Sequence, residues 1–375
     1  MRFVAKTLLG LEEVLASEVV RMGAGNVTIL NRAVAFEGSK SLLYRVNYTS
    51  RLALSVLLPV ASFAIAGQKD LYNGASEVEW DRYLDPAMTF AVSAVVKSKH
   101  FTHSGYAALV VKDAIADFFR RLTLKRPSVN QESPDLLVNV HISNEKVTVS
   151  LDSTVIPLYK RGYRRGQSEA PLSEVLAAGM IALSGWTAES PFVDGMCGSG
   201  TLPVEAALIA CNIAPGKFRR SFGFMKWKDY DPALFRSVKF DAGKSERPSP
   251  VKIYASDISD EACDTARINV VEAGVADTVD VAVRDFLESA APAQEGTLMI
   301  NPPYGHRLTI GDMNAFYGSL GSVLKHGYPG YRAWILSGDR ENLKAVALRP
   351  FRKFSLLNGD IKCLFLGYEL YAGSR

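Results

Sequence analysis

The sequence predicts a chain in two parts, an α+β front half and a doubly wound α/β back half with a mostly parallel sheet. Three observations predict this. After Asp152, short β-branched runs alternate with helical patterns, the rhythm of βαβ units. The first of those runs opens into a glycine-rich turn at Asp194–Thr201. Before Asp152, strands and helices are short and mixed, without that rhythm.

In the front half, Arg2–Thr7 reads as a strand. Leu11–Met22 places Leu11, Val14, Leu15, Val19 and Met22 at helical spacing, then stops at Gly23-Ala24-Gly25. Val27–Phe36 is β-branched, and Ser39–Ser50 returns to helix. Met88–Val96 is a strand and Gly105–Leu122 an amphipathic helix. Leu136–Ile142 and Lys146–Ser153 form a hairpin around Ser143-Asn144-Glu145. Such small mixed elements suit a binding module. In the back half, strands are expected at Pro191–Asp194, Ile253–Ser256, Val279–Val283, Leu298–Ile300, Arg332–Leu336 and Cys363–Tyr371. The boundary falls in a basic linker between Asp152 and Glu169. Asp241–Pro250 mixes Gly, Ser, Pro and charge without periodicity and is expected to be an exposed loop.

The 375 residues suffice for two or three domains, and 48% hydrophobic with 22% charged residues is a soluble globular balance. Met1–Gly10 has neither a long apolar run nor a cleavage site, and Leu52–Ala66 is broken by Ser55, Pro59 and Ser62. Neither a signal peptide nor a membrane span is expected. Cys197, Cys211, Cys263 and Cys363 show no metal-ligand spacing, so the expected setting is a reducing cytoplasm with free thiols and no metal. The net charge of +4 is modest, but its distribution is uneven. Lys97, Lys99, Lys112, Arg120, Arg121, Lys125 and Arg126 form one cluster, Lys160, Arg161, Arg164 and Arg165 a second. Lys217, Arg219, Arg220, Lys226 and Lys228 form a third, interleaved with Phe218, Phe222, Phe224 and Trp227. Together they point to a phosphate-rich partner. Whether the third cluster touches that partner or covers a sheet edge is open.

The chemistry gathers at the strand ends. Phe192-Val193-Asp194 runs into Gly195-Met196-Cys197-Gly198-Ser199-Gly200-Thr201 and the helix from Leu202 to Cys211. Glycines there let a ligand approach the backbone, beside the free N–H groups of a helix start. Asp194 would repel a pyrophosphate but accept from the amine of a sulfonium ligand, and no P-loop Lys-Ser/Thr follows. Asp257 ends the next strand, placed to accept from ribose hydroxyls. Asp285 ends the third, placed to accept from an adenine amino group with Phe286 beside the ring. The fourth strand runs into Asn301-Pro302-Pro303-Tyr304. An exocyclic base amine is a poor nucleophile, because its lone pair is delocalised into the ring. The Asn301 side-chain oxygen and the Pro302 carbonyl can hold both its N–H groups, and consecutive prolines preorganise those acceptors. Tyr304 offers a stacking face for an extruded base. Cys197 reads as packing, not as a nucleophile, because the amine itself attacks.

The blocks Lys160-Arg161-Gly162-Tyr163-Arg164, Ala170-Pro171-Leu172, Asp194…Cys197-Gly198-Ser199-Gly200-Thr201, Ser256-Asp257-Ile258, Asn301 to Leu308 and Ser337-Gly338 resemble the THUMP-domain class I RNA methyltransferases. Among these, the chain is most similar to the guanine-N2-methylating half of the large-subunit rRNA methyltransferase L family. The resemblance implies a ferredoxin-like part at 1–42, a THUMP RNA-binding domain at 43–155, and a Rossmann-like catalytic domain at 156–375. That last domain would have a seven-stranded sheet with an antiparallel last strand. It implies S-adenosylmethionine as cofactor, held by Asp194, Cys197, Gly198, Gly200, Thr201, Asp257, Ile258, Asp285, Phe286 and Asn301. Asn301, Pro302 and Tyr304 would be catalytic, on a guanine amine. Lys97, Lys99, Arg120, Arg121, Lys160, Arg161 and Arg164 would meet RNA, with 23S rRNA first and tRNA second as substrate. Gly195 departs from the usual proline, and Ser259 from an acid or amide. The clamp alone does not distinguish guanine from adenine. A non-catalytic RNA-binding assembly protein is the other class of reading, and the oligomeric state, monomer or homodimer, stays open.

Overall fold

The computed structural model describes residues 1–165, 172–303 and 312–372, arranged as two compact units. The first comprises Met1–Thr7, Leu15–Lys160 and Arg219–Phe240; the second comprises Leu8–Val14, Arg161–Phe218 and Asp241–Arg375. In chain order the front elements are β1 (Arg2–Lys6), α1 (Glu12–Arg21), β2 (Gly25–Leu30), β3 (Ala33–Glu37), α2 (Lys40–Thr49) and β4 (Ser55–Ala64). These are followed by α3 (Gln68–Ser76), β5 (Thr89–Lys97), α4 (Ser104–Thr123), β6 (Ser128–Val129), β7 (Leu136–Ser143) and β8 (Lys146–Asp152).

The first unit is built on one eight-stranded sheet ordered β2-β3-β1-β4-β8-β7-β5-β6. The β-branched stretch 27–36 is two strands, β2 and β3, paired antiparallel. The expected hairpin forms as β7 and β8, with Asn144 taking the left-handed conformation its turn requires. β4, where the sequence showed only an interrupted apolar run, joins β1 to β8 and absorbs Pro59 beside a bulge. α4 buries Ala107, Val111, Ala114, Ile115 and Phe119, an apolar stripe at helical spacing.

The aromatic-basic insertion resolves as packing. Phe222, Phe224 and Trp227 are buried, and Phe224 stacks on Tyr44 with ring centroids 4.4 Å apart. Tyr48 meets Phe222 edge-on. Cations there are engaged as well, Lys226 pairing with Asp135 at 2.8 Å and Arg219 donating to the carbonyls of Ile156, Pro157 and Lys160.

The second unit contains α5 (Glu174–Ser184), β9 (Phe192–Asp194) and α6 (Thr201–Ala210). α7 (Pro232–Lys244) belongs to the first unit through Phe240, and the second unit goes on with β10 (Ile253–Asp257), α8 (Asp260–Glu272), β11 (Val279–Val283) and β12 (Gly296–Ile300). It closes with α9 (Met313–Gly327), β13 (Tyr331–Ser337), β14 (Arg352–Asn358) and β15 (Ile361–Glu369). The expected loop at 241–250 is corrected in part. Its first four residues finish α7, which Pro232 starts and which buries Phe235 and Val238 at i, i+3.

The second sheet has seven strands in the order β11-β10-β9-β12-β13-β15-β14. β9 pairs parallel with both β10 and β12, and β10 with β11. β15 runs antiparallel to both neighbours. Chain order reverses at β9, which opens a crevice at the carboxyl ends of the central strands, where open α/β sheets bind ligands. On one face the core gathers Leu298, Ile300, Tyr317, Leu320, Leu324, Tyr331 and Ile335.

Candidate active site

The turn after β9 is held by hydrogen bonds from several elements. Gly198 and Gly200 have φ of 51° and 80°, a left-handed region that costs glycine nothing. A Cβ on Gly200 would also meet the Cβ of Ala266 on α8 at 3.0 Å, so α8 crosses the turn closely. The Gly198 N–H donates to Asp257 Oδ2 at 2.9 Å. The other oxygen, Oδ1, accepts from the Ser259 N–H at 3.0 Å. Asp257 therefore fixes the turn, while its remaining lone pairs stay available to a ligand. Asn269 Nδ2 on α8 donates to the Ser199 carbonyl at 2.9 Å.

Asp194 is buried at the end of β9, and its Oδ1 accepts from the Met196 N–H. Burial pushes its carboxyl up to about 8. The Met196 hydrogen bond opposes this shift and the Asp257 charge adds to it. Burial, with Asp194 and Asp257 nearby, also drives the Cys197 thiol upward, so it stays protonated and acts as packing. Asp285 caps the short turn at 286–288, its Oδ1 accepting from the Leu287 N–H at 2.8 Å. Phe286 is buried and stacked on Tyr328. β12, buried along its whole length, delivers Asn301. The Asn301 side-chain oxygen is buried and has no hydrogen-bond partner among the described residues.

One cavity of about 540 Å³ collects these groups. Asp194, Cys197, Gly198, Thr201, Asp257, Ile258, Asp285, Phe286 and Asn301 all line it. Gly200 and Pro302 are not among its lining residues; Gly200 shapes the turn, and Pro302, next to Asn301, is buried. Tyr304 lies outside the described residues, as do Ala170, Pro171 and the stretch 305–308. Sequence reasoning missed Met196 and Phe316 as lining residues. Phe316 sits in the first turn of α9, where no motif marks it.

Two of the expected RNA contacts are corrected. Arg161 is buried and pairs with Glu205, itself fully buried, at 3.4 Å. Tyr163 donates its hydroxyl to the same carboxylate at 3.2 Å. Arg164 Nη2 donates to Thr201 Oγ1 at 2.8 Å and to the Leu172 carbonyl at 3.1 Å, and lies 3.4 Å from Glu174. A run of charges in sequence does not reveal that its acids wait on α5 and α6. Lys97, Lys99, Arg120, Arg121 and Lys160 are exposed in the first unit, with Lys99 paired to Glu145 and Arg120 to Asp117.

Comparison with known proteins fits this architecture. The RMKL-like methyltransferase domain matches residues 161–366, the THUMP domain residues 66–152, and the RlmL ferredoxin-like domain residues 2–57. A Synechocystis protein, slr0064, provisionally named an RNA methyltransferase, is 38% identical over 98% of this chain and 97% of its own length. Ribosomal RNA large subunit methyltransferase K/L of Psychromonas ingrahamii is 36% identical over 97% of this chain and 49% of that protein. The Photobacterium profundum K/L protein is 34% identical over 100% and 53%. The chain thus spans about half the length of these two K/L relatives. Among solved structures, SMU.472, a provisionally named methyltransferase complexed with SAH, superposes with a TM-score of 0.89. It is 27% identical, covering 100% of this chain and 99% of that one. A provisionally named methylase from Clostridium difficile 630 gives a TM-score of 0.90 at 29% identity, covering 100% and 99%.

A parallel sheet with one antiparallel strand, a glycine turn at its switch point and a cavity lined by carboxylates define a Rossmann-like, S-adenosylmethionine-dependent methyltransferase. The chain belongs to the RMKL-like methyltransferase family, with a THUMP domain, an RNA-binding module, ahead of the catalytic part. Among the described residues no helix is long and apolar enough to cross a membrane, and no group of His, Cys, Asp and Glu could hold a metal ion.

Proposed function

We propose that this chain methylates an exocyclic amine of an RNA base, with guanine N2 of 23S rRNA as the target. One observation carries the chemistry: the buried Asn301 oxygen, without a hydrogen-bond partner among the described residues, lines the same cavity as Asp194 and Asp257. A buried acceptor without a partner costs roughly 1–3 kcal/mol, so its place is explained if the substrate supplies the donor.

The cavity fits the cofactor. Its volume is that of a site for a drug-sized ligand, and its carboxylates match a ligand carrying an ammonium group, ribose hydroxyls and an adenine amine. In this reading Asp194 takes the ammonium end, Asp257 the ribose and Asp285 with Phe286 the adenine. Gly198, Thr201, Ile258 and Cys197 form the walls. S-adenosylmethionine supplies an electrophilic methyl group on a sulfonium. The chain's part is to hold the amine: Asn301 Oδ1 and the Pro302 carbonyl each accept one N–H, turning the nitrogen lone pair toward the methyl. Its excess proton leaves to solvent after transfer. No general base is required, and positioning carries the rate. The choice of rRNA rests on the K/L relatives' name, and the choice of guanine on family resemblance. The THUMP domain presents the RNA, with Lys97, Lys99, Arg120 and Arg121 as its phosphate contacts and Lys160 as a further one just after it. Cytoplasmic ribosome assembly is the setting that follows.

A second reading keeps the site and changes the base to adenine N6 or the RNA to tRNA, because the two acceptors suit either purine's amine. The test is transfer of labelled methyl from S-adenosylmethionine to purified 23S rRNA and tRNA, followed by mass spectrometry of the nucleosides. N2-methylguanosine in 23S rRNA is the expected product. N6-methyladenosine, or label only in tRNA, selects the second reading. No incorporation into either RNA sinks both.

A further inference from the structure

Arg164 is the candidate that the function has not absorbed. One of its terminal nitrogens, Nη2, holds the Thr201 hydroxyl at 2.8 Å and the Leu172 carbonyl at 3.1 Å. Thr201 and Leu172 both line the cavity, and Thr201 is the first residue of α6 after the glycine turn. We propose that Arg164 is a positioning residue for the donor pocket, one guanidinium fixing the start of α6 and the Leu172 wall in a single geometry. The inference rests on the reading that this cavity holds S-adenosylmethionine.

The surrounding residues extend the same device. Arg161 and Tyr163 converge on Glu205, one turn further along α6, so three residues of one short segment are fastened to one helix. Asn269 closes the arrangement from the other side of the turn. Its Oδ1 accepts the Arg165 N–H at 2.9 Å, while its Nδ2 holds the Ser199 carbonyl. The segment 161–165 and the turn 198–201 are thereby tied through side chains on α6 and α8. A buried ion pair is on average no more stabilising than well-packed apolar side chains of the same size, so Arg164 facing Glu174 is weak evidence of a stabilising role. What an apolar residue could not reproduce is the pair of directed bonds to two pocket residues. Those bonds hold groups that must already be in place when the ligand arrives.

Removing Arg164 alone would strand Glu174, a buried carboxylate whose affinity for its proton is raised by burial and lowered by Arg164. The informative variant removes both charges. Arg164→Met/Glu174→Gln, alongside Arg164→Lys and wild type, is assayed by calorimetric titration with S-adenosylhomocysteine and by thermal unfolding. The double variant should unfold within a few degrees of wild type yet bind S-adenosylhomocysteine about tenfold more weakly, a loss of the size set by hydrogen bonds to a charged group. Arg164→Lys should recover part of that loss, because an ammonium replaces one of the two bonds but is too short to make both. Double-variant affinity within twofold of wild type overturns the proposal, and so does an affinity loss that merely follows a lowered unfolding midpoint. If wild type itself fails to bind S-adenosylhomocysteine, the cofactor reading falls and takes this inference with it.

Discussion

At the donor end of the cavity every carboxylate already has a hydrogen bond from the chain. Asp194 accepts from Met196, Asp257 from Gly198 and Ser259, and Asp285 from Leu287. At the acceptor end the Asn301 oxygen has none among the described residues. The donor end is an assembled socket, its acids serving the backbone first and a ligand with what capacity remains. Among the described residues the acceptor end offers an acceptor that the chain leaves unfilled. The largest expected effect of breaking this contrast is at Asn301. Asn301→Ala should lower methyl transfer on the order of 100- to 1,000-fold, as loss of one preorganised hydrogen-bonding group does elsewhere. S-adenosylhomocysteine affinity should change less than about twofold, within the spread of independent sites. Labelled-methyl transfer and calorimetry together read both numbers, and a large loss of ligand affinity would show the clamp misassigned.

The opposite pattern is expected at Asp257. Asp257→Ala removes the acceptor for two backbone donors as well as the proposed ribose contact, so the turn loses its anchor. Ligand affinity should fall on the order of 10- to 100-fold, at roughly 1.5–3 kcal/mol per charged hydrogen bond. Thermal stability should fall with it. Unchanged stability would mean that Asp257 serves the ligand alone, contrary to its bonds to Gly198 and Ser259.

Asp194 links the socket to pH. The folded chain holds this proton up to about 8, whereas an ordinary aspartate releases it near 3.8. Between those values the folded state carries one more proton than the unfolded, so this group's contribution to stability falls as pH rises through that window. Ligand donors favour the ionised form. Affinity for S-adenosylhomocysteine should therefore climb by up to about tenfold per pH unit below 8 and level off above it. Asp194→Asn should bind weakly with a flat profile, and should be relatively more stable than wild type at pH 9 than at pH 5. A wild-type affinity that is flat from pH 6 to pH 9 would remove Asp194 from the ligand's contacts.

The socket was more legible in the sequence than its supports because its signals are local. Asp194, Asp257 and Asp285 each close or closely follow a β-branched run, and a strand end in an alternating α/β chain already fixes which edge of the sheet it occupies. Glu205 and Asn269 carried no such mark. Their partners Arg161 and Ser199 lie 44 and 70 residues away, and only the folded sheet brings them together. For the same reason the cluster Lys160, Arg161, Arg164 and Arg165 read as a phosphate surface. The aromatic insertion was ambiguous because Phe222, Phe224 and Trp227 are as suitable for stacking bases as for packing, and Tyr44 and Tyr48, far back in the chain, decide it. Among strands, β4 was lost to Pro59. β14 was lost because Lys353 and Ser355 dilute its apolar alternation, although its pairing with β15 spans its full length.

The smallest expected effect tests how tightly the socket is packed. Gly195 adopts no left-handed conformation, so its lack of a side chain answers a steric need. A Cβ there would overlap the Phe286 ring, coming within 2.6 Å of its Cε2. The ring has no retreat, because it lies against Tyr328, whose hydroxyl is fastened to Ser289 at 2.9 Å. It would have to swing into the cavity. Gly195→Ala should cost about 1–3 kcal/mol in unfolding free energy, the usual result of overpacking. Ligand affinity should fall only severalfold, because the carboxylates keep their places. Gly195→Ala/Phe286→Leu should regain most of that stability, since leucine vacates the volume the new methyl needs. If the single variant is as stable as wild type, Phe286 is free to move and the donor end is as yielding as the acceptor end. If the double variant fails to recover, the strain lies in the turn backbone, and the contrast between the two ends rests on hydrogen bonding alone.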